Sequence, residues 1–279
     1  MSPFSNFHWS VRRELWEHRS VTLVPIAVAI VAWVSFLVHV VRNPGKATAM
    51  AALAPAKRAI AAAMPFSMVA SVVLLSSFVV GVFYALDALH AERRDRSVLF
   101  WKSMPVSDTT TVLAKAAIPF ALLPFIAFVA ALSTQLLMLP IAHGSLPLAD
   151  LDLGRMTLVM AYGVAIHALW FAPIYAYLLL VSAWAPRAPL LWTIVPFVVI
   201  AFAEKIAFGT AFALSVLRYR VLGAMSEGFA PNALHSPITQ LSQLEPARFF
   251  ASPNLWLGLA FAAACIYGAI RLRRHRDPS

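Results

Sequence analysis

The stretch VTLVPIAVAIVAWVSFLVHVV, residues Val21 to Val41, contains no Asp, Glu, Lys or Arg. As a helix rising 1.5 Å per residue it would extend about 31 Å, the thickness of a bilayer's hydrocarbon core. Five more apolar runs follow, three of them carrying one or two charges: Pro65–Leu89, Thr110–Leu139, Met156–Ala183, Leu190–Phe208 and Leu255–Ile270. The composition agrees with them. The chain of 279 residues is 61% apolar and 12% charged, with a mean hydropathy of +0.78. A soluble domain carries about 25% charged residues. The expected architecture is all-α: a polytopic membrane protein with six transmembrane helices, residues 1–279 forming one transmembrane domain. Pro119, Pro124, Pro173 and Pro196 fall inside the runs. Bundles in lipid tolerate such prolines and kink at them.

Charge sets the expected orientation. The 22 Lys and Arg outnumber the 12 Asp and Glu, which suits an anionic membrane face. A nucleic-acid binder would also be basic, but not this apolar, so no nucleic acid is expected. With both termini inside, the inner segments hold twelve basic residues and the outer ones eight. The bias is sharpest in the tail RLRRHR, directly after the last run. Both termini are expected in the cytoplasm. The N-terminus does not read as a cleavable signal: about nineteen polar-to-amphipathic residues precede a run of spanning length. Cys265, the single cysteine, permits no internal disulfide and reads as a small packing residue.

Before the first run, FHWSVRRELWEHRS (Phe7–Ser20) reads as a helix lying in the membrane surface. Phe7, Val11 and Leu15 recur every four residues and would sit in the acyl boundary. Arg12, Arg13, Glu14, Glu17 and Arg19 form its polar part, and Trp9 and Trp16 would rest at headgroup level. Between the second and third runs lies ERRDRSVLFWKSMPVSD, Glu92 to Asp108. The second helix is expected to continue through Asp87 into ALHAERRDR, with Glu92 and Arg96 as an i,i+4 pair. Ser97 to Met104 then forms a short helical piece showing Val98, Leu99, Phe100 and Trp101 beside Lys102. Pro105 ends it, and Ser107 or Asp108 caps the third helix. An apolar knob rimmed by charge is a docking site for another protein; the competing reading is a second membrane anchor. Arg93, Arg94 and Arg96 are expected to reach acidic residues of that partner or lipid phosphates.

The segments RRELWEHRS and FYALDALHAERRDRSVLFWKSMPVSD resemble the membrane subunits of type-2 ATP-binding-cassette exporters. They are similar to the branch with a REYWEHR-like start and an ERRDRSILFWKSLPVSD-like loop. AEKIAFGT (Ala203–Thr210) is similar to a further stretch of that branch, and FWKSMPVSD is the specific part of the match. The resemblance implies a connecting helix at Phe7–Ser20 and a coupling helix at Ser97–Met104 seated in a cleft of an ATP-hydrolysing partner. It also implies short re-entrant helices on the outer face within Gly209–Asn254. Coupling would then fall to Arg93, Arg94, Asp95, Arg96, Leu99, Phe100, Trp101, Lys102, Met104 and Pro105. The implied assembly is two permease copies, or siblings, with two separate ATPase subunits in a bacterial inner membrane. It would export an amphipathic peptide, antibiotic or lipid. The alternative is a non-transporting scaffold that recruits a cytoplasmic partner.

The motifs that are missing bear on the same reading. A P-loop needs G-x-x-x-x-G-K-[ST]. The one Gly-Lys pair, Gly45-Lys46, is followed by Ala47 and has Val40 at the first glycine position. ATP and Mg are therefore expected on the partner, with no cofactor bound by this chain. Neither H-E-x-x-H nor Gly-x-Ser-x-Gly occurs, and no enzyme activity is expected. Asp150, Asp152 and His143 read as a solvated outer loop rather than a metal site. Glu204 and Lys205 are adjacent charges within a run, a costly placement that marks a path or gate or else a surface-seeking pair. Neighbours in sequence do not face each other on a helix, so each is expected to find a different partner. His39 and His167 read as packing residues.

Overall fold

The computed structural model describes residues 3–95, 106–143, 146, 151–230, 238 and 241–275. Helix α1 spans Pro3–Glu17 and is followed by α2, Ser20–Arg42, and a short α3, Lys46–Ala51. Next come α4, Pro55–Asp87, and the single turn α5, His90–Arg94. Helices α6, Asp108–Ala117, and α7, Leu123–Ala142, are joined without a break by a π-helical turn at Ile118–Leu122. The remaining helices among the described residues are α8 (Leu153–Trp184), α9 (Pro189–Phe208), α10 (Phe212–Gly228), α11 (Pro246–Ala251) and α12 (Pro253–His275). Among the described residues there is no strand, only an isolated bridge between Phe229 and Leu244.

Among the described residues, six helical segments are long and apolar enough to cross a membrane: Ser20–Arg42, Lys57–Arg94, Asp108–Ala142, Leu153–Trp184, Pro189–Phe208 and Pro253–His275. Each contains one of the apolar runs, and most extend beyond it. The largest extension is in α4, which begins at Pro55, ten residues before the run, with proline in its first turn. Proline there forfeits an amide that has no helical partner anyway. Two prolines of the third segment act differently. Pro119 lies within the π turn and Pro124 just after it, and the missing N–H widens the helix locally instead of breaking it.

Helix α8 is the centre of the bundle, packing on α4, α7, α10 and most extensively on α12. Gly81 allows α4 to approach it: a Cβ there would lie 2.8 Å from the Tyr175 ring. Helix α2 buries Val21, Pro25, Ala29 and Phe36, a stripe at near-helical spacing that faces α4 and α7. Cys265 packs beside Ala172, Ala176 and Ala262. Helix α9 is peripheral, with no buried residue. It stops at Gly209, whose φ of +67° is the left-handed closing conformation that glycine adopts without strain. The segment 209–254 supplies α10, a 3₁₀ turn at Leu241–Gln243 and α11. The contacts of α1 and of the last turn of α12 place both at one end of the bundle, here called the base.

Candidate functional site

The base is held by ionised side chains. On α1, Glu14 is 1% exposed, and Lys115 on α6 is equally buried. Lys115 Nζ lies 2.8 Å from Glu14 Oε1 and 3.1 Å from Glu92 Oε1 on α5. The other side of the Glu92 carboxylate accepts from Arg273 Nη1 near the end of α12, while Arg273 Nε donates to Asp108 Oδ1 at 3.0 Å. Arg13 closes the circuit, with Nη2 at 3.0 Å from Glu14 and 3.3 Å from Glu92 and Nε at 3.4 Å from Glu17. The Tyr84 hydroxyl on α4 donates to Glu14 Oε2 at 2.9 Å, and His18 stands edge-on to the Tyr84 ring. One carboxylate, Glu92, thus links α5 to α1, α6 and α12.

Burial alone would push the Glu14 carboxyl upward. The charge and hydrogen bond of Lys115, then Arg13 and the Tyr84 hydroxyl, outweigh it and hold Glu14 below the usual carboxylate range. Ion pairs this deep give little net stability over apolar packing, because desolvation offsets their attraction. What they enforce is geometry: a carboxylate left without its cations at this depth is strongly unfavourable. The basal ends of four elements are therefore held in register.

A second set of contacts fixes the stem. The sequence predicts an unbroken helix past Asp87, but the chain turns at Ala88–Leu89 before α5. Ser182 Oγ on α8 accepts the amides of Leu89 and His90 at 3.0 and 2.9 Å, so the groups freed by the break are satisfied from a neighbouring helix. Arg93 then reaches back to the carbonyls of Ser182 and Ala185 at 2.6 and 2.8 Å, closing the C-terminus of α8. This differs from the outward role expected of Arg93. Arg94 and Asp95 are exposed and pair with each other at 3.0 Å. Arg96, Leu99, Phe100, Trp101, Lys102, Met104 and Pro105 lie outside the described residues, as does one half of the expected Glu92–Arg96 pair. Ser107 caps α6 as expected, accepting from Thr110 N at 3.1 Å.

On α1 the faces are distributed differently from the sequence reading. Val11 and Leu15 pack on the core around Val21 and Tyr84, so this side of the helix rests on protein. Trp9, Arg12 and Trp16 point outward, with the Arg12 guanidinium over both indole rings at 5.2 and 4.7 Å. Arg19 is exposed at the start of α2. Glu204 and Lys205 stand on peripheral α9 and do have different partners. Glu204 accepts from Ala213 N at 2.8 Å, from Phe212 N and from the Thr210 hydroxyl, capping α10. Lys205 Nζ donates to Gly209 O at 3.3 Å. Asp152 caps α8 through Arg155 N at 2.9 Å. Among the described residues, no group of three His, Cys, Asp or Glu side chains is placed to hold a metal.

Lys115, Tyr84 and Arg273 are the site residues that sequence reasoning missed as a group. Lys115 carried a signal, since a lone ammonium inside an apolar run demands a partner. Arg273 read only as one of several basic residues in a tail. No family model, curated protein or solved structure matches the chain.

Proposed function

We propose that the chain is the membrane-spanning permease subunit of an ATP-driven exporter of the ATP-binding-cassette class. It works with a second permease copy and two separate ATPase subunits, and both of its termini lie in the cytoplasm. The reading is supported first by the resemblance of FWKSMPVSD and its flanks to that class. The observation that carries it is the linkage of Glu92. The stem α5, which leads into residues 96–105, is tied through Glu92 to α1, α6 and α12. It is tied to α8 through Ser182 and Arg93.

An ATPase that grips the loop and moves it would move these helices together, because each link is a short ionic or hydrogen bond with little slack. A simple anchor has no need of a buried charge at the root of its loop. The π turn at Ile118–Leu122, directly above Lys115, gives the third segment a place to flex. The cargo in this reading is amphipathic: a peptide, an antibiotic or a lipid.

The test is purification of the tagged chain from its native membranes in mild detergent. Recovery of a P-loop ATPase, whose ATP hydrolysis changes when Glu92 is replaced by Gln in an otherwise intact complex, is the expected result. A monodisperse, folded preparation without any such ATPase overturns the proposal and favours the scaffold.

A further inference from the structure

Away from the base, helices α4, α7, α8 and α10 enclose a cavity of about 480 Å³. That size falls in the range of sites for small organic ligands. Met156, Met160, Phe171 and Phe229 supply apolar wall, and methionine is the side chain that best adapts to an irregular guest. Four polar residues break this wall, Ser67, Ser71, Gln135 and His167, of which Gln135 and His167 are buried, each only 6% exposed. Gln135 Nε2 donates to Phe66 O at 3.0 Å, and His167 Nε2 stands 3.3 Å from the Tyr175 hydroxyl. Gln135 Oε1 and His167 Nδ1 therefore have no partner among the described residues. The lining includes the exposed Ser71 and Leu222, so the cavity opens on the outer surface of the helices. Among the described residues that line it there is no Asp, Glu, Lys or Arg.

We propose that this cavity binds an uncharged amphiphile. Its single hydroxyl- or amide-type head meets Gln135 and His167, and its apolar body lies among Met156, Met160, Phe171 and Phe229. An ionised head would find no counter-charge in the wall, and at this depth that costs several kcal/mol. A pure hydrocarbon would leave the Gln135 acceptor without a donor, which is also unfavourable. A hydroxyl can give to one group and accept from the other. Entry past Ser71 and Leu222 is from the apolar phase, where such molecules concentrate. The site belongs to one copy of the chain and holds whether or not the chain drives export.

The experiment irradiates the full-length protein in phosphatidylcholine nanodiscs with a diazirine-bearing dodecanol, using the matching carboxylate and ammonium as controls. Labelled peptides are mapped by mass spectrometry. The alcohol is expected to label Met156–Phe171 and Val221–Phe229 about tenfold more than either ion, with similar labelling of α9 by all three. Gly163→Leu, which projects into the cavity toward Phe229, should remove most of that label without changing the melting temperature. Gln135→Leu should reduce labelling by the alcohol but not by a diazirine-bearing dodecane.

Equal labelling by the three probes overturns the proposal, as does label that persists in a normally melting Gly163→Leu protein. If that variant does not fold, competition by excess unlabelled dodecanol on the wild type decides. Displacement supports the site and its absence overturns it. Organic extraction of the purified protein separates the two sources of ligand. A stoichiometric uncharged lipid identifies a resident lipid. A lipid-free protein that still takes the alcohol identifies a free hydrophobic compound.

Discussion

Lys115 Nζ on α6 lies 2.8 Å from Glu14 Oε1 on α1, although the two residues are 101 positions apart in sequence. Neither side chain is more than 1% exposed. This pair fixes α1 to the bundle, and Glu92 extends the attachment to the stem of the loop. Lys115→Met should lower stability by about 3 kcal/mol, because Glu14 and Glu92 stay buried with less positive charge beside them. Unfolding in detergent measures this. The double variant Glu14→Gln/Lys115→Met should lose clearly less than the sum of the singles.

Acid should weaken the same attachment. The folded pKa of Glu14 lies below its ordinary 4.5, since Lys115, Arg13 and Tyr84 outweigh the upward push of burial. A depressed carboxylate pKa stabilises the fold fully above its unfolded value. That contribution is lost as pH falls through the folded value. The melting temperature of the wild type should therefore fall more steeply than that of Glu14→Gln as pH is lowered from about 5 toward 3.

Arg93 and Arg94 are neighbours with different fates. Arg93 gives two hydrogen bonds to the closing carbonyls of α8, and charged hydrogen bonds of this kind contribute about 1.5–3 kcal/mol. Arg93→Gln should lower the melting temperature and speed amide exchange at Leu89 and His90. Among the described residues, Arg94→Gln removes only an exposed pair with Asp95, and the variant should melt like the wild type.

The proposed ATPase contact assigns Phe100 and Trp101 the part of aromatic anchors. Truncating such anchors costs about 2 kcal/mol or more, a loss of roughly 30-fold in affinity. Phe100→Ala/Trp101→Ala should leave the chain folded in the membrane but stripped of its ATPase during purification. A full complement of ATPase on the double variant would remove these residues from the interface.

Glu204 caps α10 through the amides of Phe212 and Ala213. Glu204→Gln removes the charge that favours a helix N-terminus. Hydrogen exchange should become faster at Phe212 and Ala213 and stay unchanged in α8. Transport or ATP hydrolysis that also changes, in a complex that remains assembled, would add a path or gate role to the cap.

The six helices are legible in the chain because transfer into an apolar phase adds residue by residue: Val21–Val41 identifies itself without knowledge of any neighbour. The Ser107 cap is legible for a similar reason, since its partner, Thr110 N, lies three residues away. Lys115 could be recognised as out of place in an apolar run, yet nothing near it in sequence names Glu14. The partner of Arg273 is more remote still, at Glu92, 181 residues earlier. Electrostatic pairing depends on distance in space, and that distance was decided only when α1, α5, α6 and α12 converged at the base of the bundle. The same convergence turned the Val11–Leu15 side of α1 toward protein and left Trp9, Arg12 and Trp16 facing outward, a choice between two faces that periodicity alone does not make.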